Sequence, residues 1–443
     1  MTSPRIVFVP VARTTFDMES AEASLHASQA MLRRLGSDIL MPEHHLTDYD
    51  AMKNWLSAQM PYDAVIFQAS TFVDPRFALE FCRFAKVPTL VWGLREPSAG
   101  GGRLRLNSMT GVFALTNVLS EEDVPFRMVV GNPGEEKLEK DMARWIHTAG
   151  VMSRLRSMRL GVIGSIPPGY FFSLEEETML RRHVGPTVVQ TEIYKLFKKA
   201  EACTREERLA VLRACSARLS GLDTLPEARA MNFAGLYKAV ADFIEENSLD
   251  ALCGRCWPDT FEAMDMAPCG LYSLFADALP VACEADMGGA VTNAALKWIS
   301  HGGTAYFADP VQVEEDKNTI TFWHCGFGAP SLASSLPVPM GTHPNRKVGP
   351  TMEFAVRPGR VTMCRIGKHK GQYRMLIAGG EALDEPRRFQ GTSAIVRPDC
   401  GAEAFASALA RQGWEYHISF VHGDVSEELE LLAEMLGMEA VRL

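Results

Sequence analysis

Three features are missing from this sequence of 443 residues. It has no run of 18 apolar residues, which excludes an ordinary transmembrane helix and argues against membrane association. It has no GxxxxGKS or GxxxxGKT loop, which excludes a P-loop nucleotide site. It also has no excess of basic residues, because 45 lysines and arginines stand against 54 aspartates and glutamates and give a net charge of −9. That balance argues against a dedicated nucleic-acid-binding protein.

A secretory leader is not expected either. The apolar run at residues 6–10 is short, lacks a cleavage-type tail and is typical of a first buried strand. The ten cysteines are then expected to be free thiols in a reducing compartment, which predicts a cytoplasmic protein.

The beginning of the chain alternates strand and helix patterns. Strands are predicted at residues 6–11, 38–41, 64–67 and 89–92, and helices at 19–35 and 76–84. This alternation is typical of a parallel sheet with helices on both faces. Arg13, Gln68 and Arg95 come directly after three of these strands, at the edge where such sheets bind ligands, and are candidates for contacting a substrate.

The middle of the chain repeats this alternation, and the end changes character. Strands are predicted at 160–164, 250–253, 281–283 and 304–307, all in a second parallel sheet. Short β segments with turn signals follow, then a helix at 402–411, a strand at 415–421 and a helix at 425–436. The prediction is an α/β protein with two Rossmann-like doubly wound parallel-sheet domains, residues 1–155 and 156–340. A smaller antiparallel β-rich C-terminal domain, residues 341–443, follows them.

Chemically active residue types are densest in the middle of the chain. Glu284 and Asp286 follow a predicted strand and are separated by one residue, so in an extended segment both point to one face. Two carboxylates on a buried face need a cation or a proton between them, whereas a surface loop would leave both solvated. Carboxylates combined with one imidazole suit Mn²⁺ or a similar divalent ion better than Zn²⁺.

Other residues of this region allow two interpretations each. Cys253 and Cys256 form a CxxC pair, but no second pair stands at zinc spacing, so we expect packed thiols rather than a zinc or redox pair. His324 is either a buried, hydrogen-bonded histidine or part of a site. Arg255 is either an ordinary salt-bridge arginine or a guanidinium that holds an anionic substrate.

Several motifs occur together in a fixed order. They are Cys256-Trp257-Pro258, Cys269, Ala282-Cys283-Glu284-Ala285-Asp286 with Gly288-Gly289-Ala290, Phe307-Ala308-Asp309, His324-Cys325-Gly326 and the segment His417-Ile418-Ser419-Phe420-Val421-His422-Gly423-Asp424-Val425. From about residue 155 to the end, this series resembles the L-fucose isomerase-like superfamily.

The resemblance implies a metal-dependent aldose–ketose isomerase that acts on a monosaccharide through a cis-enediolate. It also implies a homo-oligomer, a trimer or a hexamer, in which the first domain of a neighbour closes the cleft. The substrate stays open between a neutral deoxy sugar, a pentose and a sulfonated hexose, such as sulfoquinovose converted to sulfofructose. A sugar epimerase or lyase with the same chemistry and a non-catalytic sugar-binding protein are the alternatives.

The resemblance also implies roles for individual residues. Asp286 resembles a carboxylate ligand and His417 the histidine ligand of a Mn²⁺ site, with Co²⁺ as an alternative ion. The family has a glutamate about two dozen residues before its aspartate; Glu262 stands at that distance here, and Glu284 is the other candidate. Glu284 or Glu262 is then the predicted base, with Asp286 as ligand and second acid. The same motifs supply the remaining predicted substrate contacts, Arg255, Trp257, Cys269 and His324.

Overall fold

The computed structural model describes residues 4–36, 38–97 and 102–443. The chain forms two compact units. One extends to Arg154 and includes Leu431–Gly437, and the other comprises Leu155–Glu430 and Met438–Leu443. Within the described residues, no helix combines the length and the apolar character needed to cross a membrane.

The first unit contains a five-stranded parallel sheet. In spatial order its strands are Ile39–Leu40, Ile6–Val11, Ala64–Ala69, Thr89–Gly93 and Phe126–Val130. Its helices are Met18–Leu35, Tyr49–Gln59, Arg76–Cys82 and Ser108–Glu121, and the helix Glu136–Ser157 begins here. Every residue of Ile6–Val11 and Ala64–Ala69 is buried, as expected for central strands covered on both faces.

The second unit begins with a four-stranded parallel sheet. Its spatial order is Val281–Cys283, Ala251–Gly254, Arg159–Ile163 and Thr187–Thr191. The helices around it are Glu177–His183, Ile193–Ala202, Arg205–Ser216, Glu227–Glu246, Asp259–Met264, Cys269–Ala276 and Met287–Ile299. Residues that follow Ala251–Gly254 and Val281–Cys283 lie at the same edge, because these two strands are neighbours and run parallel.

A mixed, mostly antiparallel eight-stranded sheet completes the second unit. Its order is Phe354–Ala355, Thr392–Pro398, Thr319–His324, Tyr306–Glu314, Ile418–His422, Gly359–His369, Gln372–Ala382 and Glu439–Arg442. Because Gln372–Ala382 also pairs with Thr392–Pro398, six of the strands close into a ring. The second unit also contains a small sheet (Thr351–Met352, Val338–Gly341 and Leu219–Ser220) and the helix Ala402–Gln412, and the helix Ser426–Met435 contributes residues to both units.

The predicted α/β fold class is confirmed by two parallel sheets and the antiparallel-rich sheet, but two strand predictions are wrong. The strand predicted at 304–307 is Tyr306–Glu314, and it pairs antiparallel in the eight-stranded sheet instead of joining the second parallel sheet. A short buried apolar run is typical both of a strand in a parallel sheet and of a buried strand in an antiparallel sheet, so the sequence pattern did not distinguish the two. The strand predicted at 415–421 starts only at Ile418, and Tyr416, which precedes it, is 42% exposed.

Candidate active site

A constrained turn after the strand Val281–Cys283 carries the first acidic residue of the site. Glu284 and Ala285 both have left-handed backbone conformations, with φ of 58° and 53°. Non-glycine residues rarely adopt this conformation, and strained residues of this kind cluster at functional sites. The turn ends at Asp286, which accepts a backbone hydrogen bond over 2.8 Å and caps the helix Met287–Ile299. The side chain of Glu284 lines a cavity.

Asp286 is fully buried and surrounded by donors. Nη1 and Nη2 of Arg365 donate to its two carboxylate oxygens over 2.7 and 3.1 Å, and Nδ1 of His417 donates over 2.9 Å. Burial opposes ionisation of Asp286, but Arg365 and His417 outweigh it and hold the pKa of the carboxyl well below its usual range. Because both oxygens are engaged, this geometry favours an orienting role over the predicted role of Asp286 as a direct metal ligand.

His417 stands just before the strand Ile418–His422, with its ring packed 4.4 Å from that of Phe307. Its Nδ1 is fixed by Asp286, so its Nε2 is the nitrogen that faces other groups. Nε2 lies 2.9 Å from Oε2 of Glu284 and 3.6 Å from Oδ1 of Asp309. Burial lowers the pKa of His417, but the carboxylates of Asp286 and Glu284 more than compensate and raise it to about 9.

Asp309 is a site residue that sequence reasoning did not single out. It lies on the strand Tyr306–Glu314, and its Oδ1 is buried with no hydrogen-bond partner. Burial raises the pKa of Asp309 to about 6. A signal was present, because Glu284 and Asp309 are separated by about two dozen residues, the spacing that the resemblance implies for two carboxylates.

These groups are of the types that hold a cation, although within the described residues it is Cys269, Cys325 and His343 that bring three ligand atoms within 4.8 Å of one another. The carboxylates of Glu284 and Asp309 converge on Nε2 of His417, and Nε2 and Asp309 Oδ1 are buried polar atoms without a hydrogen-bond partner. Two carboxylates that converge on one buried nitrogen repel one another unless a proton or a metal ion lies among them. Oxygen and imidazole donors are those that Mn²⁺ and similar ions accept. The second nitrogen of His417 is held by Asp286, as is usual for a metal-binding histidine.

The cavity beside this cluster has a volume of about 470 Å³, within the range of small-molecule sites. Four aromatic side chains line it, those of Tyr170, Trp257, Phe261 and Trp323. The polar lining comprises Glu284, Asp309, Cys256, His324, Cys325, His343, Asn345 and Arg346. A sugar has both apolar ring faces and hydroxyl groups, and this mixture of aromatic and polar walls suits it.

Thiols form a second cluster at this cavity. Ligand atoms of Cys269, Cys325 and His343 lie within 4.8 Å of one another, and Cys325 Sγ is 3.5 Å from a ring nitrogen of His324. The hydrogen bond from Cys269, together with His324, outweighs burial and holds the pKa of the Cys325 thiol well below its usual value. Across the described residues, no cluster of three potential metal ligands of this kind includes Cys253 or Cys256. The prediction that this pair binds no zinc stays a prediction.

Of the other site residues predicted in the second unit, some lie at the cavity and others do not. Trp257 and His324 line the cavity, and Cys269 belongs to the thiol cluster. Arg255 forms an ion pair with Asp259 over 2.6 Å. Glu262 is exposed on the helix Asp259–Met264 and is not part of the cavity lining, so this geometry does not support it as ligand or base.

The three predicted substrate contacts of the first unit have partners within that unit. Gln68 is buried and donates to the Ser28 hydroxyl over 2.9 Å. Arg13 stacks on a phenylalanine ring, with its guanidinium 5.9 Å from the ring centroid. Arg95 forms an ion pair with Glu135 over 2.8 Å. Substrate binding by these residues stays a prediction.

Comparisons with known proteins show that this chain is similar to sugar isomerases. Residues 336–442 match the family described as L-fucose isomerase, C-terminal domain. Over its whole length the chain is similar to proteins named sulfoquinovose isomerase. The similarity is 36% identity over 443 residues for Priestia megaterium, 36% over 445 for a Clostridium species and 32% over 441 for Alkalicoccus urumqiensis. Each alignment covers 99% of this chain and 99% of the relative.

Proposed function

The chain belongs to the L-fucose isomerase-like family of sulfoquinovose isomerases, which makes it a sugar aldose–ketose isomerase, and we propose that it converts sulfoquinovose to sulfofructose. The observation that carries this proposal is the convergence of Glu284, Asp309 and His417 Nε2 beside a cavity of sugar size. The reaction moves a proton between two adjacent carbons, and one carboxylate with access to both carbons suffices for that transfer.

We propose Glu284, Asp309 and His417 Nε2 as the groups that would hold a divalent ion, with Mn²⁺ preferred and Co²⁺ accepted. Two carboxylates and one imidazole match the donor preferences of these ions, and the unpartnered Oδ1 and Nε2 atoms support the assignment. When bound, such an ion supplies Lewis acidity to the two substrate oxygens at which the carbonyl and the hydroxyl exchange.

We assign the proton transfer and the positioning of His417 to residues of the chain. We assign the proton transfer to Glu284, whose side chain lines the cavity at the end of a constrained turn. A carboxylate there removes the proton from C2 of the aldose and returns it to C1, through a cis-enediolate of the sugar, while the hydroxyl proton of O2 passes to O1. Asp286 and Arg365 act as positioning residues, because they fix the ring of His417 without facing the cavity.

The aromatic walls orient the sugar. Tyr170 and Trp257 pack edge to face, with ring centroids 5.4 Å apart, and both line the cavity. Such faces cover the apolar side of a pyranose ring and exclude water from it. We also propose that the protein works in the cytoplasm as a homo-oligomer, a trimer or a hexamer. Membership in the family supports this assembly, and light scattering of the purified protein tests it.

A comparison of substrates tests the proposed function. Purified protein with added Mn²⁺ is incubated separately with sulfoquinovose, 6-deoxyglucose, L-fucose and L-arabinose, and the formation of each ketose is measured by chromatography. We expect the highest kcat/KM for sulfoquinovose. A preference for L-fucose or L-arabinose would overturn the substrate assignment, and an epimeric or cleaved product would overturn the reaction assignment.

A further inference from the structure

We infer that the turn at residues 343–348 forms an anion subsite in which Arg346 and Asn345 bind the sulfonate of the substrate. This inference rests on the proposed function and adds to it the residues that select a sulfonated sugar. Both residues line the same cavity as Glu284 and Asp309. Within the part of the chain that the structure describes, Arg346 is the only lysine or arginine in the lining of that cavity.

The turn has a defined backbone. Lys347 N donates to His343 O over 2.8 Å, and His343 N donates to Val348 O over 2.8 Å. The ring of His343 adds a second constraint, because its Nδ1 accepts from the backbone N–H groups of Asn345 and Arg346 over 3.3 and 3.2 Å. The ring thus fixes the backbone from which both proposed sulfonate ligands project.

The guanidinium of Arg346 is held by aromatic rings rather than by a carboxylate. Its central carbon lies 5.9 Å from the ring centroid of Trp257 and 5.7 Å from that of Phe261. Among the ion pairs between described residues, none involves Arg346. Stacking on rings restrains a guanidinium while leaving its N–H groups available, and these match the oxygens of an anionic group.

Arg255, the arginine that the sequence places nearest to the central motif, is committed elsewhere. Its Nε lies 2.6 Å from a carboxylate oxygen of Asp259, and its Nη1 donates to the Ser165 hydroxyl over 3.2 Å. The positive charge of Arg255 is therefore compensated within the protein, and that of Arg346 is not. An anionic group that enters the cavity would meet the uncompensated charge.

The division of charge within the cavity matches the chemistry of a sulfonated aldose. Glu284 and Asp309 are negative groups that suit the reacting C1–C2 end through a bound cation, and they would repel a sulfonate. A sulfonate at C6 is separated from C1 and C2 by the remainder of the ring. The cavity therefore combines a cation-holding cluster for the reacting carbons with a guanidinium and an amide for the anion.

The test compares two sugars that differ only in the anion, sulfoquinovose and 6-deoxyglucose. For Arg346→Ala we expect KM for sulfoquinovose to rise about tenfold, the lower end of what a hydrogen bond to a charged group contributes, because the Arg346 side chain is exposed to water. We expect kcat to stay near that of the unchanged protein, and KM for 6-deoxyglucose to stay within about twofold. Arg346→Lys should recover part of the lost affinity, because it restores the charge without the planar fork.

Lys347→Ala is the matched control, because Lys347 lies on the same turn and is exposed but is not part of the cavity lining. It should leave KM for both sugars unchanged. An Arg346→Ala protein whose KM for sulfoquinovose is unchanged, or whose KM rises equally for both sugars, would overturn the subsite.

The same series separates failure of the subsite from failure of the proposed function. If the unchanged protein does not convert sulfoquinovose, the proposed function is overturned. Titration calorimetry with sulfoquinovose on the unchanged protein and on Arg346→Ala still tests the subsite in that case. An equal dissociation constant for the two proteins, or no detectable binding to either, would overturn it.

Discussion

Nδ1 of His417 donates a hydrogen bond to Asp286 over 2.9 Å, although the two residues are 131 positions apart in the chain and both are fully buried. The bond fixes the orientation of the imidazole ring and leaves Nε2 toward Glu284 and Asp309. Arg365 donates to both oxygens of the same carboxylate. A buried chain of three residues therefore determines the position of one nitrogen atom at the cavity.

The first prediction concerns that nitrogen. His417→Ala should lower the affinity for Mn²⁺ by more than about 100-fold, beyond the range typical of residues that only support a ligand, and should abolish turnover. Titration of metal-free protein with Mn²⁺, followed by electron paramagnetic resonance, measures the affinity. His422→Ala is the control, because its Nε2 bonds to the backbone oxygen of Arg357. A larger loss for His422→Ala than for His417→Ala would contradict the assignment.

Asp286→Asn separates an orienting role from direct ligation. As a positioning residue, Asp286 should affect Mn²⁺ affinity by about 10- to 100-fold, with measurable binding retained. Removing the charge also leaves buried Arg365 with a more distant carboxylate, that of Glu415 at 3.9 Å, so the free energy of unfolding should fall by about 3 kcal/mol. Urea unfolding and metal titration of the same preparation measure both effects. Complete loss of metal binding in a folded Asp286→Asn protein would instead make Asp286 a direct ligand.

The two acidic residues Asp309 and Glu262 should behave oppositely. Asp309→Asn removes one of the two carboxylates that face His417 Nε2, so we expect turnover to fall by at least about 100-fold, with the fold intact by circular dichroism. Glu262→Gln changes an exposed side chain, and kcat/KM should stay within about twofold. Steady-state kinetics with sulfoquinovose measures both variants. The reverse order of effects would restore Glu262 as the catalytic carboxylate.

Removal of the metal should affect both stability and activity. A ligand that binds only the folded state stabilises it, by about 2.7 kcal/mol at a free concentration 100 times its Kd, so chelated protein should unfold at lower temperature. Calorimetry before and after exhaustive chelation measures the shift, and Mn²⁺ or Co²⁺ should restore both stability and turnover. Full turnover of a sample shown to be metal-free by mass spectrometry would refute metal dependence.

Local patterns predicted much of the fold, because periodicity is a local property. The strand Ile6–Val11 and the helix Met18–Leu35 follow from buried runs, helical periodicity and an ending glycine. The strands that pair with Tyr306–Glu314 could not be predicted from such local patterns. A strand's neighbours depend on contacts distant in sequence, here with Thr319–His324 and Ile418–His422.

The site was predictable to a smaller extent. Glu284 stands out in the sequence as an acid after a strand, whereas His417 was singled out only through the resemblance of its segment to the family. The role of Asp286 was not predictable, because only the fold brings Arg365 against its oxygens. Asp309 was missed although its motif was recognised, because the local sequence does not distinguish a buried acid from a solvated one; its burial and its approach to Nε2 of His417 depend on the fold.

The most direct test of the account is proton NMR of sulfoquinovose incubated with the protein and Mn²⁺ in D₂O. Proton transfer by a carboxylate through an enediolate allows exchange with solvent, so we predict sulfofructose partly deuterated at C1 and residual sulfoquinovose gaining deuterium at C2. A ketose without deuterium would indicate hydride transfer instead. A C2 epimer, a cleaved product or unchanged sugar would contradict the assignment of this chain as a sulfoquinovose isomerase.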